Sequence, residues 1–118
     1  MASAKKISLL SSQVIAADTT TVGSAVIVDR RHTGLIGLIE VSARTDGTYT
    51  LSIEESHDGV SWAPTALSSA SALSADGIEV AKVDKSTPHL IYVRASVLSA
   101  STTSGATIEV NILVEDRN

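Results

Sequence analysis

The sequence predicts an all-β fold, an antiparallel β-sandwich of about eight strands with jelly-roll or immunoglobulin-like connectivity. Three observations predict it. Apolar residues recur with a period of two over most of the chain, the pattern of strands that bury one face and wet the other. Turn signals separate the alternating runs, among them the pairs Asp46-Gly47, Asp58-Gly59 and Asp76-Gly77, as in small sandwiches and barrels. The composition is 43% hydrophobic but only 3% aromatic, with no Phe. A core of Val, Ile, Leu and Ala suits thin sheets packed face to face.

Strands are expected at residues 6–16, 21–29, 35–45, 47–56, 64–69, 77–84, 89–99 and 106–115. In the third, Ile39, Val41 and Ala43 alternate with Glu40, Ser42 and Arg44; in the fourth, Tyr49, Leu51 and Ile53 alternate with Thr50, Ser52 and Glu54. The seventh sets Ile91, Val93, Ala95 and Val97 against Tyr92, Arg94 and Ser96, and the eighth sets Ile108, Val110, Ile112 and Val114 against Glu109, Asn111 and Leu113. Asp46-Gly47 reads as a hairpin turn between the third and fourth runs, because glycine tolerates positive φ and Asp can bond its own backbone. The small polar stretch from Ser99 to Gly105 reads as a longer hairpin loop between the last two strands. Ala66 to Ala75 has the weakest pattern; its serines favour turns over a helix interior.

The 118 residues make one domain, 1–118, without internal repeat or linker. The absence of cysteine rules out disulfides, thiolate zinc sites and thiol catalysis. A net charge of −4 with no basic cluster argues against nucleic-acid binding and against attachment to a membrane surface. No segment approaches the roughly 18 apolar residues of a spanning helix. Lys5-Lys6 before Ile7-Ser8-Leu9-Leu10 resembles the start of a signal peptide, but Ser11, Ser12 and Gln13 interrupt the apolar run. A mature cytosolic start is the expectation. Residues 1–6 admit two readings, a flexible arm or the lead into a first strand. As an arm, Lys5, Lys6, Ile7, Leu9 and Leu10 are candidate partner contacts.

The densest chemistry lies at Glu54-Glu55-Ser56-His57-Asp58-Gly59-Val60-Ser61-Trp62. Its carboxylates could bind calcium, but the spacing departs from an EF-hand loop. A hairpin explains the residues more simply, with Asp58-Gly59 turning and Trp62 covering the end of the core. Ser56, Asp58, Gly59 and Trp62 therefore form a structural turn motif. The stretch also resembles the Asp-box of sialidase-like propellers, with one residue fewer between Asp and Trp and in a single copy, and the length excludes a propeller. His32, His57 and His89 lack metal-site spacing and read as surface or edge residues. Arg30-Arg31 reads as a solvated turn. No nucleophile elbow, phosphate loop or cofactor motif is present, so no enzymatic activity and no cofactor are expected. Leu35-Ile36, Leu38-Ile39 and Ile112-Leu113-Val114 are apolar on both strand faces, which implies either a partner or a covering segment.

The succession Glu55-Ser56-His57-Asp58-Gly59-Val60-Ser61-Trp62, the Ser/Ala-rich Ala66 to Ala75, the glycine-led Gly77 to Val83, Tyr92-Val93-Arg94-Ala95 and the apolar Thr107 to Val114 resembles the head decoration, or capsid cement, proteins of tailed phages. The resemblance spans roughly residues 20–115 and lies in turn and core motifs. It implies a β-sandwich without catalytic residues, often trimeric, made in the host cytoplasm and fixed to the capsid exterior by the lattice of the major capsid protein. A tail or head–tail joining protein and a carbohydrate-binding module are the alternatives.

Overall fold

The computed structural model describes residues 3–15, 18–28, 34–44, 46–84, 89–100 and 106–116. Among these described residues nine strands follow one another: β1 (Ser3–Val14), β2 (Thr20–Val22), β3 (Val26–Ile27), β4 (Leu35–Ser42), β5 (Thr48–Ser56), β6 (Ser68–Ser69), β7 (Gly77–Val83), β8 (Tyr92–Ala100) and β9 (Thr107–Asp116). No helix occurs among the described residues.

All pairings are antiparallel. One sheet has the order β1-β9-β4-β7; the other has β2-β8-β5-β6, with β3 also on β8. β2 and β3 are one strand interrupted. Val22 opposes Ser96 and Val26 opposes Val93, so four steps on one side meet three on the other, the signature of a bulge. Counting β2–β3 as one leaves eight strands, and nearly every connection crosses from one sheet to the other. That order is a jelly roll; the immunoglobulin-like alternative is set aside.

Two expected hairpins are therefore wrong. β4 and β5 do not pair, and Asp46-Gly47 carries the chain across the sandwich. β4 has no free edge, because β9 and β7 flank it. Tyr49 Oη donates to the Asp46 carbonyl at 3.0 Å and Arg44 Nε to the Gly47 carbonyl at 2.9 Å, which fix the crossing. Likewise β8 and β9 lie in different sheets, while residues 101–105 of their connection fall outside the described residues, as do Met1, Ala2, Arg30, Arg31 and His32. Ala66–Ala75 is an irregular companion to β5. Leu67 N, Ala70 N and Leu73 N donate to the carbonyls of Ile53, Leu51 and Tyr49, so only two of its residues register as strand.

The core is the aliphatic one the composition demands. Tyr49, Leu51 and Ile53 of β5 and Val93, Ala95 and Val97 of β8 face Leu35, Ile39, Val41, Ile108, Val110 and Ile112 of the other sheet. The layers approach closely at Gly37, where a Cβ would lie 2.9 Å from Ile53 Cδ1. At one side of the sandwich a bulge in β1 brings consecutive Leu9 and Leu10 inward. It also frees the Leu9 carbonyl to accept from Ser24 N at 3.1 Å, and Gly23 is required because a Cβ there would lie 1.9 Å from that oxygen. At the other side Ser68 Oγ donates to the Lys82 carbonyl at 2.9 Å. Both long openings between the sheets are thus tied.

Candidate interaction surfaces

The turn after β5 folds back over the outer face of its own sheet. Ser56 is buried, and its Oγ accepts from Asp58 N at 3.2 Å and Gly59 N at 2.9 Å while donating to the Ser61 carbonyl. Asp58 Oδ1 accepts from Val60 N and Ser61 N, each at 2.9 Å. These backbone bonds from Ser61 and Val60, with smaller help from Ser56 and His57, hold the Asp58 carboxyl at a pKa of about 2. Gly59 adopts φ 78° and rests on Tyr92, whose ring would lie 3.2 Å from an added Cβ.

Trp62 pairs with Ser56 as an isolated bridge. Contrary to expectation, it does not cover the core. Its ring lies over the Arg94 guanidinium, 4.2 Å from the ring centre, and Arg94 Nε donates to Glu54 Oε1 at 2.7 Å. Glu54 and Arg94 are direct cross-strand partners, so the layered Trp62–Arg94–Glu54 unit sits on the outer face above β5 and β8. An arginine stacked on tryptophan and paired with a carboxylate is satisfied on both sides.

The carboxylates of this stretch turn to different partners. Glu54 turns to Arg94, Asp58 to two backbone amides, and Glu55 Oε1 accepts from Leu90 N at 2.8 Å. Among the described residues no three His, Asp or Glu converge to hold a metal. His57 is exposed and 3.6 Å from Asp58. His89 departs from its expected surface position: it is buried, and its Nδ1 lies 2.7 Å from the Leu90 carbonyl. Nothing local in the sequence at the start of the strand expected at residues 89–99 marks His89 as buried.

Of the two readings of the N-terminal residues, the strand holds from Ser3 onward. β1 begins at Ser3 and pairs with β9 from Asp116 inward, so residues 3–6 are strand. Leu9 and Leu10 lie in this chain's own core, with Ile7 packed against it, and are unavailable to a partner. Lys6 is exposed; the side chain of Lys5 lies outside the described residues.

The outer face of the β1-β9-β4-β7 sheet is where the two-sided apolar pattern leads. Ile36 and Leu38 of β4, Ile78 and Val80 of β7 and Leu113 of β9 point away from the core. Ile78 is 56% exposed and Ile36 36%. A shallow depression of about 270 Å³ lies among Lys6, Leu38, Glu40, Ile78, Glu109, Asn111 and Leu113.

No family profile and no curated protein matches this chain. Solved structures do. The PBSX exported protein XepA superposes with a TM-score of 0.71 at 14% identity, over 97% of this chain and 38% of that one. The structure of infectious bursal disease virus Gx strain superposes with a TM-score of 0.64 at 12% identity, over 98% of this chain and 33% of that one. The chain thus spans about a third of the length of these proteins and shares their β-sandwich as one unit.

Proposed function

We propose that this chain is a structural component of a phage particle that attaches to the assembled capsid lattice and stabilises it from outside. The observation that carries the reading is the jelly-roll strand order, held over nearly the whole chain in common with a phage exported protein and a virus structure. A jelly roll alone serves many functions. Its particle role here draws further support from the resemblance to capsid cement proteins and from a β5 turn whose Ser56 and Asp58 groups are bonded to its own backbone. A glycan platform loses its aromatics: Tyr49 is buried, Tyr92 lies under Gly59 and Trp62 covers Arg94. The resemblance adds three-fold association on the particle, where several weak contacts at once give avidity.

The test is to mix purified protein with capsids lacking it and with free major capsid protein. Saturable occupancy of capsids, with protection against heat, and little binding to free subunits is the expected result. Equal or absent binding to both contradicts it.

A further inference from the structure

The outer face of the β1-β9-β4-β7 sheet has an ordered charge pattern. The register places Lys6, Leu113, Ile36 and Lys82 in one row across the four strands. The next outward row holds Ser8, Asn111, Leu38 and Val80. The third holds Glu109, Glu40 and Ile78, with the two glutamates direct cross-strand neighbours. Like charges placed opposite each other destabilise a sheet. Asn111 Nδ2 donates to Glu109 Oε2 at 3.1 Å, but among the described residues neither glutamate pairs with a cation and neither lysine with an acid. Across these three rows the face therefore carries two positive charges on one side and two negative charges on the other, with Leu38 and Val80 between them.

We infer that this face is a two-fold contact between copies of the chain. Turning a second copy by 180° about the middle row lays the lysine row of each over the glutamate row of the other. Each lysine then faces the opposite layer, about 10 Å away, with a lateral offset of about one strand spacing, ~4.8 Å, from a glutamate, within reach of the long side chains. Leu38 and Val80 lie on the axis against their own symmetry mates, as an isologous interface requires. Face-to-face packing of sheets is the ordinary way a β-layer is covered. Four strands span roughly 19 Å, so the patch belongs to the small, transient class of interfaces. The pair is weak in dilute solution and strengthened by low salt. Copies held side by side on a surface would form it readily, because their effective concentration is high. The contact is distinct from three-fold association and does not require the particle reading.

Sedimentation equilibrium of the full chain from about 10 μM to 1 mM, at low and high salt, reads the mass against 12.2 kDa. The expected result is a monomer–dimer equilibrium that weakens at least tenfold at high salt. Leu38→Lys, which puts like charges on the axis, should leave a monomer with an unchanged melting temperature. The doubly reversed variants Lys6→Glu/Lys82→Glu and Glu40→Lys/Glu109→Lys should each be monomeric alone and form a 1:1 complex when mixed. That mixing experiment holds even if Leu38→Lys disturbs folding. A monomer at 1 mM in low salt, a trimer without a dimer, or a dimer indifferent to these substitutions overturns the inference. So does a monomer whose Leu38→Lys variant loses only capsid occupancy, since the face would then belong to the lattice.

Discussion

Among single residues, those that look most like a site are those that hold the β5 turn. Gly59 should be the least replaceable. Valine there meets both an unfavourable positive φ and the Tyr92 ring, the backbone alone costing about 1–3 kcal/mol. Gly59→Val should lower the melting temperature more than Asp58→Ala does, and the reverse order would contradict the packing of this turn. Asp58 supplies a pH dependence of definite sign. Its folded pKa, about 2, lies below the ordinary 3.8, so its stabilisation is complete above the unfolded value and is lost as pH falls through this interval. Asp58→Asn should flatten the acid limb of a melting-temperature profile; an unaltered limb would show that the carboxylate is not so bonded. Trp62→Ala should cost about 1–2 kcal/mol, the value of a partly desolvated cation–π contact, and not the larger loss expected of a core ring. That Ser56, Asp58, Gly59 and Trp62 form a turn was legible, because Asp-Gly chemistry is local. Where Trp62 points was not, since Arg94 reaches it only through long-range pairing of β5 with β8.

At the scale of elements, the alternation located most strands within a few residues, and it identified the buried face of β4, β5, β8 and β9. It misassigned their connections. An Asp-Gly turn between two alternating runs has the same sequence whether the runs pair or part into different sheets. The decision belongs to β9 and β7, which take both edges of β4. The first strand was expected from residue 6, but its start at Ser3 and its inward face were not legible, for a related reason. Leu9 and Leu10 are adjacent and break the alternation, and only the bulge turns both inward. Because residues 3–6 pair with β9, deletion of Met1–Lys6 should lower the melting temperature by several degrees; an unchanged value would mean that Ile7–Val14 alone carries β1. Gly37→Val should cost about 1–3 kcal/mol by overpacking against Ile53, and adding Ile53→Ala should recover part of the loss. Strict additivity of the two changes would show that they do not share a contact.

At the scale of the whole molecule, the strand order, the tied openings between the sheets and the exposed patterned face describe a two-layer block measuring 45 × 32 × 20 Å. Such a block is suited to being placed in repeated copies on a larger surface. Periodicity and turn chemistry contained the sandwich, and the two-sided apolar runs contained a hint of the interacting face. The charge rows that organise that face appear only once the register of β1, β9, β4 and β7 is known, because Lys6, Lys82, Glu40 and Glu109 are scattered over the chain. Attachment to an assembled capsid is open to cryo-electron microscopy of otherwise identical particles with and without this protein. Difference density with the dimensions of the sandwich, repeated over the outer surface of the capsid, is the expected result. Difference density confined to the tail or the head–tail junction, or none on the particle, would contradict it.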